Sequence, residues 1–420
     1  MIFSKKINNS VDDEFVNHIL PASERKSTIT VLMIMLGFTF FSGSMWAGKE
    51  IAEGISFDGF IWSILIGGII LSVYTGFLAW ISASCGMGVD LLAKKALGNK
   101  GSYLVSFVIS FTQIGWFGVG IAMFAIPVAN VFWNGNTVAQ WILVILSGAL
   151  MTASAYFGIK SLTLVSYISV PVISILGIYA MYKASDFGSS SLIEQFSLHD
   201  NTLGIGAASS LVIGSFISGG TTTPNFARYA KDAKSGAITT IIAFLLGNSL
   251  MIIFGGVSSV YVGGNDIFDV MIKLNMFYFA LLVLGLNIWT TNDNALYSAG
   301  LGLANILKKP KKLMILFSGL FGTIMSIWLY WNFSGWLSIL NCALPPCGAV
   351  IIVSYLTNKE NYSDTNINQD INWFGVIGIV LGAIIANIVK IGFPSLNSMI
   401  IALIFYIVGN QFKKKKSQRN

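Results

Sequence analysis

Within the run LNIWTTNDNALYSAG (residues 286–300), Asn287, Thr290, Thr291, Asn294 and Ser298 recur at i, i+3, i+4, i+7 and i+11. That is the spacing of one helical face. Two adjacent threonine hydroxyls and an amide oxygen are hard, neutral donors, suited to a small hard cation and poor for zinc or copper. Hydrogen bonding between helices would use the same groups, and the face alone does not choose between the two. Asp293 is the only acid or base set well inside an apolar stretch, which marks it by default as functional. It lies roughly 120° around the helix from Asn287, off the polar face, so a structural or gating role fits it better than a ligand role.

A second constellation joins Gln113 and Trp116, one turn apart in FTQIGWFGVGIAMFAIPV with Gly115, Gly118 and Gly120 around them. A buried amide is costly unless paired. Beside an aromatic ring it suits a flat heteroaromatic, which the ring stacks and the amide meets in its plane. Phe216 could supply the second face, each aromatic contributing roughly 1–3 kcal/mol of stacking. A lone Trp among Phe residues is more often core or lipid-facing; the company it keeps raises the odds here.

The elements that must hold these groups are membrane helices. Of 420 residues 55% are hydrophobic and 10% charged, against about 25% charged in soluble domains. Apolar runs of roughly 18 residues or more, enough to span the hydrocarbon core, recur at 29–52, 57–83, 102–131, 139–157, 161–182, 203–220, 237–262, 274–303, 313–331, 333–356, 372–392 and 395–411. The expected architecture is an all-α polytopic membrane protein of about twelve spans. If the N-terminus is cytoplasmic, all 25 Lys and Arg except Lys49, Lys183, Lys273 and Lys390 fall on the cytoplasmic side, so both termini are expected there. The net charge of +7 is then a topology signal and no sign of nucleic-acid binding. Lys413–Lys416 read first as part of that signal and second as a contact for anionic lipid. Cys85, Cys342 and Cys347 show no metal spacing.

Spans one and six carry matching interruptions, GFTFFSGSMWAG with Gly37, Gly43 and Gly48, and GSFISGGTTTP with Gly214, Gly219, Gly220 and Pro224. Broken segments in equivalent places of two five-helix halves point to a transporter's binding site; glycines for close helix packing are the competing reading. No His lies in a span, and no Ser-His-Asp set, HExxH, P-loop or CxxC is present. An intramembrane hydrolase, a metalloprotease or an ATP-driven pump has no visible machinery, and a channel ring of like residues is missing. The chain reads as no enzyme.

TQIGWFGVGIAMFAIPV, GSFISGG and LGLNIWTTNDNALY, with MLGFTFFSGSMWAG, PVISILG and LPPCGAVI in order around them, resemble the bacterial cytosine permeases of nucleobase–cation symporter family one. The resemblance covers nearly the whole chain beyond the N-terminal tail. It implies a LeuT-type fold: a tail over 1–28, one inverted repeat over 29–182, a second over 203–356, two further helices over 372–411 and a basic tail over 412–420. It also implies sodium-coupled import of cytosine across the bacterial cytoplasmic membrane by a monomer. In that family the base lies between aromatics matching Trp116 and Phe216, with polar groups matching Gln113, Ser215, Ser218 and Asn287. The sodium site would use the Gly37 and Phe40 carbonyls, the Thr290 and Thr291 hydroxyls and the Asn287 carbonyl. TTTPNF departs from the family pattern, with Asn225 where an acid is usual. A symporter for uracil, hydantoin or a purine, a sodium-coupled amino-acid transporter of the same fold, and a nucleobase sensor are the alternatives.

Overall fold

The computed structural model describes residues 18–187, 190–199, 202–264, 267–332, 342–367, 369–389 and 392–417. Residues 1–17 and 418–420 of the expected tails, and 333–341 of the expected tenth span, lie outside them. The described regular elements are all helical. The first expected span is two helices, α1 (Thr28–Thr39) and α2 (Ser42–Gly54), meeting at 56°. Then come α3 (Phe57–Cys85), the short α4 (Val89–Leu97), α5 (Ser102–Trp133), α6 (Thr137–Tyr156), α7 (Ile159–Phe187) and the short α8 (Leu192–Ser197). The second half holds α9 (Ile205–Thr222), α10 (Pro224–Ala227), and α11 (Ala233–Ile242), which passes through a π-helical stretch (Ala243–Asn248) into α12 (Ser249–Val262). The short α13 (Ile267–Lys273), α14 (Phe277–Leu307), α15 (Lys311–Trp331), α16 (Pro345–Thr357), α17 (Trp373–Ile388) and α18 (Pro394–Ser417) complete it.

Among the described residues eight helices are long and apolar enough to cross a membrane, nine if α1 and α2 form one bent span. α16 and α17 are shorter. α14 is 31 residues long yet falls outside that set, because the polar face that raised the question of chemistry lowers its hydropathy.

Local signals set the helix ends. Ser27 and Ser56 accept from Thr30 N and Gly59 N, capping α1 and α3. Asn136 accepts from Val138 N and Ala139 N at the start of α6. Gly86 and Asn134 close α3 and α5 at φ 67° and 48°, the left-handed turn these residue types tolerate.

Packing sorts the helices into groups. α1 and α2, α3, α9 and α11–α12 pack on one another, and α5, α6, α14 and α15 form a second group joined to the first along α1–α14 and α5–α9. α7 touches α1, α12 and α14, and α16, α17 and α18 pack together. Helix backbones come very close in the first group: a Cβ on Gly48 would lie 2.1 Å from the Ile252 carbonyl oxygen, and one on Gly255 2.1 Å from that of Met45.

Ahead of α1, residues 20–26 form a strap. Leu20 N donates to Gly86 O (2.9 Å) and Lys26 N to Tyr229 O (2.7 Å). The Arg25 guanidinium donates to the carbonyls of Ala83 (2.9 Å), Ala230 (3.1 Å) and Lys231 (3.2 Å).

Span six departs from expectation. α9 runs without a break from Ile205 to Thr222, so Ser215 and Ser218 sit on a regular helix, and the chain turns only at Thr223. Its glycines serve packing. A Cβ on Gly219 would fall 2.3 Å from the Phe216 ring, and one on Gly220 2.8 Å from Thr75 Cγ2.

Candidate functional site

The break between α1 and α2 leaves backbone groups without helical partners, and α14 supplies them. Ser42 N donates to Asn287 Oδ1 (2.7 Å), as does the Ser42 hydroxyl (2.9 Å). Thr291 Oγ1 stands 3.3 Å from each of three carbonyl oxygens, those of Phe38, Phe40 and Asn287. Thr290 Oγ1 lies 3.0 Å from the Asn287 carbonyl oxygen. One hydroxyl holds one proton, so three carbonyls converging on it form an oxygen-rich point with more acceptors than donors. Such a set of neutral, hard oxygens fits a sodium ion. Of the expected ligands Phe40, Asn287, Thr290 and Thr291 meet here, with Phe38 beside them. Gly37 is packed against α7, where a Cβ would lie 2.4 Å from Ser166 Oγ.

Against this point lies a small cavity lined by Phe38, Phe41, Gln113, Trp116, Ser215, Phe216, Ser218, Gly219 and Thr291. Five of the six expected substrate residues therefore come together from α5 and α9. Asn287 is the exception: its side chain is spent on Ser42, although its helix borders the cavity through Thr291. Gln113 is 1% exposed and its Nε2 has no partner. A buried amide donor without an acceptor costs about 1–3 kcal/mol, an expense that a ligand acceptor would remove.

Three contributors escaped the sequence: Phe38, Phe41 and Asn248. Phe41 lies in the break just before α2 and sits edge-on to Trp116 (centroids 5.4 Å, 86° between planes) and to Phe216 (6.4 Å, 79°). A phenylalanine in an apolar run has no signature. Asn248, in the π-helical stretch, accepts from Ser44 Oγ (2.6 Å) and donates to Ser215 Oγ (3.2 Å), positioning one cavity serine. Its signal was readable, as a lone amide within an apolar span. The free volume left in the cavity is about 10 Å³, room for about one water. A heterocycle enters only when these side chains move apart.

Asp293 faces away from the cavity, toward α6. The Ser154 hydroxyl donates to it and itself accepts from Trp289 Nε1 (2.8 Å). Asn225, at the departure in TTTPNF, accepts from Val89 N (3.1 Å) and so holds the start of α4.

This geometry sits on a chain that matches, over residues 19–409, the family of permeases for cytosine/purines, uracil, thiamine and allantoin. It is 41% identical over 411 residues, 97% of each chain, to the cytosine permease of Escherichia coli K12. The chain belongs to this family. It is a permease and no enzyme. Its fold is shared with Mhp1, a nucleobase-cation-symport-1 family transporter solved closed with bromovinylhydantoin bound (17% identity, TM-score 0.81, 96% of each chain). A Na⁺-coupled sialic acid symporter also superposes (13% identity, TM-score 0.70, 96% of this chain and 92% of that one). The LeuT-type fold expected from the sequence is thus the fold of this chain, a multi-pass membrane permease of the nucleobase-transporter class.

Proposed function

We propose that this permease imports cytosine across the bacterial cytoplasmic membrane in symport with sodium, with both termini in the cytoplasm. The observation that carries the reading is the shared cavity of Gln113, Trp116, Ser215, Phe216 and Ser218, which Thr291 lines from the oxygen convergence. Cytosine is planar and neutral. It needs two ring faces, which Trp116 and Phe216 supply once parted, and in-plane partners for an exocyclic amine, a ring nitrogen and a carbonyl. Gln113 both donates and accepts, and its unpartnered Nε2 meets the carbonyl. A site built around such bonds rejects an analogue lacking the matching group by up to about 10⁴–10⁵-fold. Among the described residues that line the cavity none is Lys, Arg, Asp or Glu, which suits an uncharged ligand.

Sodium would be held by the Thr290 and Thr291 hydroxyls with the Phe40 and Asn287 carbonyls, and that of Gly37 or Phe38. It would supply a charge that draws α14 to the broken first span. Asn287 links the two sites through this chain's own atoms: its carbonyl belongs to the oxygen cluster, and its amide oxygen fixes Ser42 beside Phe41. Ordering the break for one ligand therefore orders it for the other, and the coupling is reciprocal.

Uptake of labelled cytosine into proteoliposomes, with and without an inward sodium gradient, tests the reading. Uptake is expected to follow the gradient and, in Trp116→Ala, to lose affinity about 5- to 150-fold, as one lost stacking face of roughly 1–3 kcal/mol implies. Uptake indifferent to sodium would remove the symport, and an unchanged Trp116→Ala would remove the sandwich. Preference for uracil or a hydantoin over cytosine would move the substrate within the family.

A further inference from the structure

The outward surface of the second helix group carries a groove that the transport reading does not use. Two hollows, an inner one between α5, α6 and α14 and an outer one along α6 at the end of α5, share Leu143 and Leu146 in their walls. The inner one, about 310 Å³, is floored by Phe124, Gly285 and Trp289. The outer, about 530 Å³, opens beside Trp133, Asn134 and Asn136 at the far end of α5.

Gly285 shows that the groove is not packing left over from helix contact. On the same helix a Cβ at Gly300 would strike Ile315 at 2.4 Å and one at Gly302 would strike Ser110 at 2.2 Å, whereas one at Gly285 meets only Phe124, at 3.8 Å. The missing side chain leaves open width that no protein atom takes. The polar atoms of the inner hollow are already engaged. Ser147 Oγ donates to Leu143 O (2.6 Å) and Trp289 Nε1 to Ser154 (2.8 Å). Water there would find no partners, and an empty hollow forfeits the dispersion contacts of its lining. Leu146 and Leu150 on the rim are each 56% exposed, on a helix long and apolar enough to cross a membrane. In a bilayer such a rim would face lipid hydrocarbon.

We propose that this groove is a lipid site, taken by one acyl chain of a phospholipid. The methylenes lie over Gly285 against Trp289, and the ester and headgroup region sits at Asn134 and Asn136, with Trp133 at the interfacial depth its ring favours. The chain would press on the outer face of α14, one residue from Thr290 on the inner face, so bilayer composition would bear on the helix that carries the oxygen cluster. The site itself stands whether or not sodium is the coupling ion.

Gly285→Leu fills the hollow from α14, and Leu143→Trp fills it from α6 should the first variant not fold. Native mass spectrometry after extraction in mild detergent is expected to show one retained phospholipid fewer in either variant than in wild type. In bilayers of phosphatidylcholine brominated along its acyl chains, the Trp289 emission, taken as the difference from Trp289→Phe, is expected to be quenched in wild type and largely relieved in Gly285→Leu. Equal lipid counts and equal quenching in wild type and the folded variant would overturn the proposal. So would a dimer-to-monomer shift in the variant, which would make the groove a contact between copies of the chain.

Discussion

Thr291 shows how much chemistry one side chain can concentrate. Its hydroxyl faces three carbonyls, of which Thr290 Oγ1 also reaches that of Asn287, so its loss removes a hard oxygen from the cluster without changing shape. Thr291→Val keeps the volume and removes the oxygen. The expected outcome is a fall in apparent sodium affinity of at least about tenfold, the equivalent of roughly 1.4 kcal/mol, with the amount of folded protein unchanged. Sodium titration of cytosine uptake reads it, and an unaltered sodium curve would take Thr291 out of the ion site. Legibility at this scale followed chemical contrast. Gln113, Trp116, Thr290 and Thr291 stood out because amides, hydroxyls and a large ring are conspicuous in an apolar chain. Phe41 is one of 30 phenylalanines and had no contrast to show. The Phe38 carbonyl belongs to a backbone that every residue shares.

At the scale of elements, the sequence read α14 correctly and α9 only in part. Helical phase separated Asn287, Thr290 and Thr291 from Asp293; the structure puts Asp293 against α6, while Asn287 and Thr291 bond the broken first span and Thr290 bonds back to the Asn287 carbonyl. Glycine was the ambiguous letter. In span one it accompanies a real break; in α9 the same residue type makes room for Phe216 and Thr75, and nothing in a run of glycines tells the two uses apart. The crossing of α2 and α12 shows the packing use at its tightest, with Gly48 and Gly255 each against a backbone carbonyl that cannot rotate away. Gly48→Ala is expected to destabilise by about 1–3 kcal/mol, the usual range for overpacking, lowering the thermal midpoint in detergent by several degrees. Gly204→Ala, where a Cβ meets nothing within 4 Å, is the matched control and should leave the midpoint unmoved. Equal midpoints for the two variants would show that the helices part without cost.

Across the whole molecule, Asp293 apart, charge among the described residues gathers toward the ends of the spans, and the face that carries the strap holds a buried share of it. Asp90 and Lys94 of α4 are 3% and 6% exposed. Asp90 accepts from Ser106 Oγ (2.5 Å), which in turn accepts from Asn305 Nδ2 (2.8 Å). Burial and then Lys308 push the Lys94 ammonium down to about 8 from its ordinary 10.5, against the pull of Asp90. Between about 8 and 10.5 the unfolded chain holds this proton more often than the folded one, so Lys94 makes stability rise with pH across that window. The thermal midpoint of wild type is expected to climb relative to Lys94→Met over that interval, and parallel profiles would remove Lys94 as the source. The strap on the same face has a mechanical meaning. Its described hydrogen bonds to other parts of the chain run to the end of α3 or to the segment between α10 and α11, both in one helix group, and none of them to α5, α6, α14 or α15. It therefore braces the first group into a single lever and leaves the seam along α1–α14 and α5–α9 untied. The cavity and the oxygen cluster both lie on that seam, so a hinge motion between the groups would open them without breaking the brace.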